Sequence, residues 1–439
     1  MFRFLLACVL AAALPLHADR VRVVIAVAVP QVSTYDASAA GRPSAQAQPR
    51  AQAVRASVID SLATATHVEP WGKGAVFAAE VDRATFEQLA HDPRIRAVSV
   101  DDGGEGALLD SIRVIGADVV HVQGYDGSGV TVAVLDSGID ASSPNFAGRI
   151  AAQQCFCDNL DGGGCCPNGD NHQSGAGSAR DDNGHGTHVS GIVAGGGATA
   201  PAGVAPGARI VAVKVLDADK RFRSFTQIYR ALEWIAAERP DVKVINMSFG
   251  SWSLFAPSDC DSAAIAIGMD DVVTRLRARG VLIAASAGNQ SSLYGTTLPA
   301  CMRDVIGVGA TYDVGGNHHL LCDDDNAYVD EVTCFSNSTA GNDLLAPGAL
   351  ITAAGKGGGF VTMSGTSMAA PHVAGALALM QQVSGGNLTA DDAERILETT
   401  GRRVVDLRNG MWFPRLDVAA AVAATPHAPP PPRRRGVRK

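Results

Sequence analysis

The stretch "SGTSMAAPHVAG", residues 364–375, sets Ser367 at the threshold of an apolar run of small residues that reads as a helix. Gly365 and Thr366 let the chain turn sharply ahead of it, which should place Ser367 in the first turn with its hydroxyl facing a cleft. Ala369, Ala370, Ala374 and Gly375 keep the helix slim, as central packing requires. Pro371 is expected within the first turns, where a missing N–H costs least because the first four donors of a helix have no intrahelical partner.

Outward from this helix, buried apolar runs alternate with helical patterns from about residue 108. They are "VTVAVLD" (130–136), "RIVAVKV" (209–215), "VKVINMS" (242–248), "VLIAAS" (281–286) and "VIGVGA" (305–310). Continuous Val/Ile/Ala runs mark strands covered on both faces. The expected fold is therefore α/β: three layers, with helices on both faces of a mostly parallel sheet and ligands at the carboxyl ends of the strands.

Upstream the pattern is different. "VRVVIAVAV" (21–29) reads as a strand and 33–50 as a mobile loop; Val54, Val58 and Leu62 fall at helical spacing. "GAVFAAEV", a helix capped by Asp82, and "IRAVSV" complete a small βαβαβ unit ending near Val100. The Gly-rich acidic stretch "DDGGEGA" (101–107) then reads as a cleavable linker. The expected divisions are a signal peptide over 1–18, a small α+β domain over 19–107, the α/β domain over 108–424, and a Pro-rich, basic, disordered tail over 425–439.

A chain of 439 residues with 46% hydrophobic and 18% charged content can bury a sizeable core, and its net charge of −8 argues against nucleic acid as a partner. Arg3, the apolar run from Phe4 to Leu16 and the small Ala18 have the layout of a secretory signal. A lipid anchor at Cys8 is the alternative, against which the apolar residues continue past the cysteine. No other stretch has the ~20 apolar residues of a membrane span. The mature chain is expected to be soluble and secreted, extracellular or periplasmic. Cys8 leaves with the signal, and the other eight of the nine cysteines are even in number, which favours disulfides in an exported chain. "CFCDNLDGGGCC" (155–166) could instead hold zinc, although it lacks paired CxxC knuckles.

Three segments put reactive residue types at strand ends or helix starts: "AVLDSGID" with Asp136, "DDNGHGTHVSG" with His185, and the opening segment with Ser367. A serine hydroxyl is a poor nucleophile unless a neutral imidazole takes its proton, and that imidazole needs a buried carboxylate to hold its tautomer. "AASAGNQ" adds Asn289, whose amide could donate to an oxyanion beside the backbone N–H of Ser367. His188 and His372, one helical turn from reactive positions, read as packing residues.

Taken in order, "VAVLDSGID", "NGHGTHVSGIVAG", "INMSFGS", "AASAGN" and "SGTSMAAPHVAG" resemble the subtilisin-type serine proteases over 108–424. The resemblance implies Asp136 as acid, His185 as base, Ser367 as nucleophile and Asn289 as oxyanion donor. It implies backbone pairing of a peptide or protein substrate with an edge strand at Ser248, Phe249 and Gly250, Thr297 at the floor of the primary pocket where the family usually has glycine, and the next apolar pocket from Phe225 and Ile228. Lys220, Arg221 and Arg223 either favour acidic substrates or form a solvated basic loop. The unit ending near Val100 resembles the family's inhibitory propeptide, best over 75–101, which implies self-cleavage in the 101–110 region and the propeptide as the chain's own inhibitor. A monomer is expected.

The chemistry needs no cofactor, though structural calcium is possible. The family's tightest calcium site has an aspartate where Asn145 stands, so that site is not expected. Asp323, Asp324, Asp325, Asp330 and Glu331 offer hard-cation ligands instead, or a solvated acidic loop. Disulfides Cys260–Cys301 and Cys322–Cys334 are expected, because Cys260 opens the helix before the Asn289 strand and Cys301 lies just beyond the pocket loop. The remaining four cysteines should pair among themselves.

The rival reading is a catalytically silent relative serving as a binding or adhesion module; silent relatives lose a reactive residue, and all four stand here. An imidazole base must be neutral, and its reference pKa is about 6.5, so activity on a neutral peptide should climb through roughly pH 6 to 8. A rate flat from about pH 4 to 9 would refute the mechanism.

Overall fold

The computed structural model describes residues 20–27, 47–70, 76–100 and 108–428; the signal peptide, the linker 101–107 and the tail beyond 428 lie outside the described residues. The chain divides into two compact units, Met1–Glu105 and Gly106–Lys439.

In the first unit, strands Val21–Val27, Thr66–Pro70, Val76–Val81 and Ile95–Val100 form one antiparallel sheet, in which Val21–Val27 lies between Val76–Val81 and Ile95–Val100. Thr66–Pro70 is a strand that helical spacing through Leu62 did not reveal; the helix runs Ala47–Ser61 and so begins inside the supposed loop. The helix Arg83–His91 is capped as expected, Asp82 Oδ1 accepting from Thr85 N at 2.7 Å. Val23, Ile25, Val58, Phe77 and Val81 form the core of this α+β unit.

The second unit is built on a ten-stranded sheet. Its order is Arg402–Val405, Trp412–Arg415, Leu344–Pro347, Ile306–Thr311, Leu282–Ser286, Val242–Met247, Thr131–Asp136, Arg209–Lys214, Ile150–Phe156 and His172–Ser174. All neighbours are parallel except the pair at each edge. The five apolar runs are five of the eight inner strands, and they are buried almost throughout. Two separate cores, one on each face of the sheet, complete the expected three layers.

On one face the helix Thr366–Val383 packs against strands and against the helix His185–Ala194. Sixteen of its eighteen residues are buried. Its slimness is required: a Cβ on Gly375 would stand 2.5 Å from Val204 Cβ. Pro371 is the sixth residue of the helix, not in its first turn, so it removes an internal hydrogen bond to the Ser367 carbonyl. The first residues of the supposed tail are also structured, Ala428 N donating to Val383 O at 3.0 Å.

The eight cysteines form four disulfides. Cys260–Cys301 and Cys322–Cys334 are the expected pairs, while Cys155–Cys166 and Cys157–Cys165 nest within the insertion, so the four cysteines of the alternative zinc reading are bonded to one another. Among the described residues no helix is long and apolar enough to cross a membrane.

The Cys260–Cys301 bridge spans 41 residues and Cys157–Cys165 spans 8. Chain entropy then gives about 4 against about 2.5 kcal/mol of stabilisation. Urea unfolding of the paired Cys→Ser variants should show the larger loss for Cys260 and Cys301, and equal losses would contradict this account.

Candidate active site

Asp136 is the last residue of a strand buried on both faces, and its carboxylate is fully buried. Oδ1 accepts from Ser137 N and from His185 Nδ1, both at 2.7 Å. A carboxylate can only accept, so the proton lies on Nδ1 and His185 Nε2 is left as a bare acceptor. Oδ2 is buried with no hydrogen-bond partner. The imidazole is thus the group that balances this buried carboxylate whenever it takes a second proton.

His185 opens the helix His185–Ala194, and a network around it holds that helix start. Asp181 Oδ2 accepts from Thr187 N at 2.9 Å and from the Thr187 hydroxyl. Asp181 Oδ1 accepts from Asn183 N, Gly184 N and the Ser137 hydroxyl, and Ser137 Oγ in turn accepts from Gly186 N. Burial alone would raise the Asp181 pKa, but the Thr187 hydroxyl and these N–H groups outweigh it and hold the carboxyl below its ordinary range. Close packing completes the join: a Cβ on Gly186 would lie 2.2 Å from the Gly138 carbonyl oxygen.

Lys214 lies fully buried beneath. Its three ammonium protons go to Ser137 O at 3.0 Å, Leu216 O at 2.7 Å and Asp182 Oδ1 at 2.7 Å. Sequence reasoning overlooked this framework. A lone lysine in the buried run "VAVKV" and an acid just ahead of a helix start were the available signals.

Ser367 is the second residue of its helix, after Thr366 and the N-cap Gly365, whose φ of 152° a side chain would strain. The carbonyl freed by Pro371 accepts from Ser248 Oγ at 2.9 Å, and Ser367 Oγ donates to Ser248 O at 3.1 Å. No hydrogen bond joins Ser367 to His185 in this conformation. Asn289 is held by Thr366, whose N–H and hydroxyl both donate to Asn289 Oδ1, at 2.8 and 2.9 Å. Since that N–H can only donate, the amide oxygen is assigned and Nδ2 is left free to serve as a donor.

One cavity of about 240 Å³ is lined by His185, Ser367, Asn289, Thr297 and the segment Ser248, Phe249 and Gly250. Ser248–Gly250 directly follows the strand Val242–Met247 as irregular chain, not as a strand of the sheet. Phe225 and Ile228 do not line this cavity. Ile228 points into the core below the sheet and Phe225 packs edge-on against Phe222; Leu216, Phe222 and Trp252 supply the apolar wall. Lys220 and Arg221 line the cavity, whereas Arg223 lies against Gly162.

His188 and His372 are buried packing residues, as expected. His188 Nε2 faces the carbonyls of Ile351 and Val361, and His372 bridges Met368 O and Ser111 Oγ. The acidic loop has internal partners: Asp324 accepts from the Tyr312 hydroxyl and Cys334 N, while Asp330 pairs with Arg415 and Arg402. Among the described residues no three His, Cys, Asp or Glu side chains converge to hold a metal ion. Asn145 Oδ1 accepts from Ala198 N and Thr199 N, so its amide itself holds the loop where the aspartate was missed.

An α/β sheet with a paired carboxylate and imidazole facing a helix-borne serine defines a class of hydrolase. The subtilase family profile matches residues 127–413. The chain is 33% identical to Subtilisin E of Bacillus subtilis (strain 168) over 310 residues, 69% of each protein. It is 36% identical to Subtilisin BL of Lederbergia lenta over 267 residues, 61% of this chain and 81% of that one. The crystal structure of a cold adapted subtilisin-like serine proteinase superposes with a TM-score of 0.51 at 30% identity, covering 66% of this chain and 89% of the other. The chain belongs to the subtilase family and is a serine endopeptidase.

Burial pushes the His188 imidazole down to about 3, with His185 adding to the effect, and pushes His372 down to about 4. An unfolded histidine titrates near 6.5, so between those values only the unfolded chain gains the protons, and stability falls as pH falls. Burial also raises the Asp343 carboxyl to about 7, which acts in the opposite sense. Two histidines against one carboxyl leave a net loss on the order of 1.4 kcal/mol per pH unit just below about pH 6. Urea unfolding of the Ser367→Ala protein should show it, and Asp343→Asn should steepen it; a stability that rises on acidification would overturn the assignment.

Proposed function

We propose that Asp136, His185 and Ser367 act as the catalytic triad of a secreted endopeptidase that removes its own N-terminal unit. The Asp136–His185 hydrogen bond, with His185 and Ser367 lining one cavity, is the observation that carries this reading. Ser367 Oγ leaves Ser248 O, gives its proton to His185 Nε2 and attacks the peptide carbonyl. Asp136 stabilises the imidazolium that forms, and the same proton is delivered to the leaving amine. Asn289 Nδ2 and the Ser367 N–H receive the oxyanion at the helix N-terminus. The acyl-enzyme is then hydrolysed by water through the reverse proton path, so the residues present supply every proton transfer.

The antiparallel first unit and the acidic linker support the reading of 19–107 as an inhibitory propeptide. The N-terminal signal layout and the four disulfides support export to an oxidising compartment.

In a host lacking other secreted proteases, Ser367→Ala should accumulate as the longer precursor, read by intact mass. Loss of a subtilisin nucleophile costs on the order of a millionfold in turnover. Asn289→Ala should mature slowly, since one oxyanion donor is worth roughly a hundred- to a thousandfold, a figure measured in subtilisin. Full processing of Ser367→Ala would mean that another enzyme makes the cut, and self-processing would have to be abandoned.

A further inference from the structure

The cavity around Ser367 has a charge bias opposite to that of the whole chain. The chain carries −8, yet among the described residues the only ionisable side chains lining the cavity, apart from His185, are Lys220 and Arg221. The carboxylates of the same loop do not line it. Asp217 is buried, with Oδ1 turned to the N–H groups of Asp219 and Arg221. Asp219 stands 3.7 Å from Arg221 and is 71% exposed, a contact loose enough to yield to a competing carboxylate.

The second observation is steric. Thr297 is almost wholly buried, and its hydroxyl donates to Ser286 O at 3.1 Å. A Cβ on Gly250 would lie 2.2 Å from Thr297 Oγ1, and one on Gly288 would lie 2.7 Å from Thr297 Cγ2. The threonine therefore fills the gap between the two backbone walls that bound the cavity. A volume of about 240 Å³, shared among the whole lining, is below the roughly 300–1,000 Å³ usual for ligand pockets.

We propose that this cleft selects acidic peptide segments with a small residue, alanine or glycine, on the acyl side of the cut bond. The linker 101–107 of this same chain, "DDGGEGA", is such a segment: three carboxylates, and otherwise only glycine and alanine. Lys220 and Arg221 supply the charge selection and Thr297 the size selection. This deepens the triad reading and rests on it.

The test uses the processed enzyme and three p-nitroanilides that fix the cut bond: Asp-Gly-Gly-Glu-Gly-Ala, its amide analogue Asn-Gly-Gly-Gln-Gly-Ala, and Asp-Gly-Gly-Glu-Gly-Phe. At low salt kcat/KM should favour the acidic over the amide peptide by roughly two- to fivefold, as rim charges allow, and the gap should close as salt is added. The alanine peptide should exceed the phenylalanine peptide by at least about tenfold, the scale on which pocket size discriminates. Lys220→Glu with Arg221→Glu should invert the first ratio, and Thr297→Gly, or Thr297→Ser as the milder change, should reduce the second. Equal turnover of acidic and amide peptides, or a phenylalanine peptide cut as fast as the alanine one, by an enzyme that an active-serine phosphonate labels, would overturn the preference alone. A folded protein that cuts none of the three and takes no label would overturn the triad reading with it.

Discussion

A helix without an exposed side runs along the middle of the second unit, and most of the site follows from that constraint. Burial on every side limits Thr366–Val383 to small and aliphatic residues, and it forces each polar group to find a partner. Gln381 reaches Leu388 O, and His372 reaches Met368 O and Ser111. Ser367 lies only half-buried near the helix start, so its hydroxyl is a polar group on a rigid element, beside backbone donors that the helix cannot use itself.

Pro371 turns that rigid element into a clamp. By lacking an N–H it frees the Ser367 carbonyl, and Ser248 fills the place with its hydroxyl while receiving the Ser367 hydroxyl on its own carbonyl. Two reciprocal hydrogen bonds tie the helix start to the chain leaving the central strand Val242–Met247. Asn246 Nδ2 donates to the same Ser248 hydroxyl at 2.9 Å, extending the tie into the sheet. The resting serine is thereby parked on a carbonyl, one side-chain rotation from use.

The electrostatic half of the site has a different logic. Asp136 and Asp181 are buried acids in neighbouring segments, and each is stabilised by donors instead of by a neighbouring cation. Lys214, the one buried ammonium close by, is spent on carbonyls and on Asp182. This leaves His185 as the partner of Asp136, a condition for an imidazole whose proton must move.

Much of this was legible before any coordinates. Val/Ile/Ala runs mark buried parallel strands because a strand covered on both faces has no polar side, and five inner strands were found that way. The inner strands missed, such as Ile150–Phe156 and Leu344–Pro347, are short or carry polar residues that only pairing explains. Asp136, His185, Asn289 and Ser367 stood out because strand ends and helix starts are local features, written in adjacent residues. Phe225 and Ile228, which the resemblance assigned to a neighbouring apolar pocket, stay out of the Ser367 cavity, and nothing local in the sequence says which face of their helix meets the sheet. The Ser248–Ser367 exchange, the Asp181 network and the wedge of Thr297 between Gly250 and Gly288 join residues far apart in the chain. The sequence by itself determined the elements and the reactive residue types; only the tertiary structure decided which distant groups meet, because hydrogen bonding and close packing depend on separations in space that spacing along a chain does not encode.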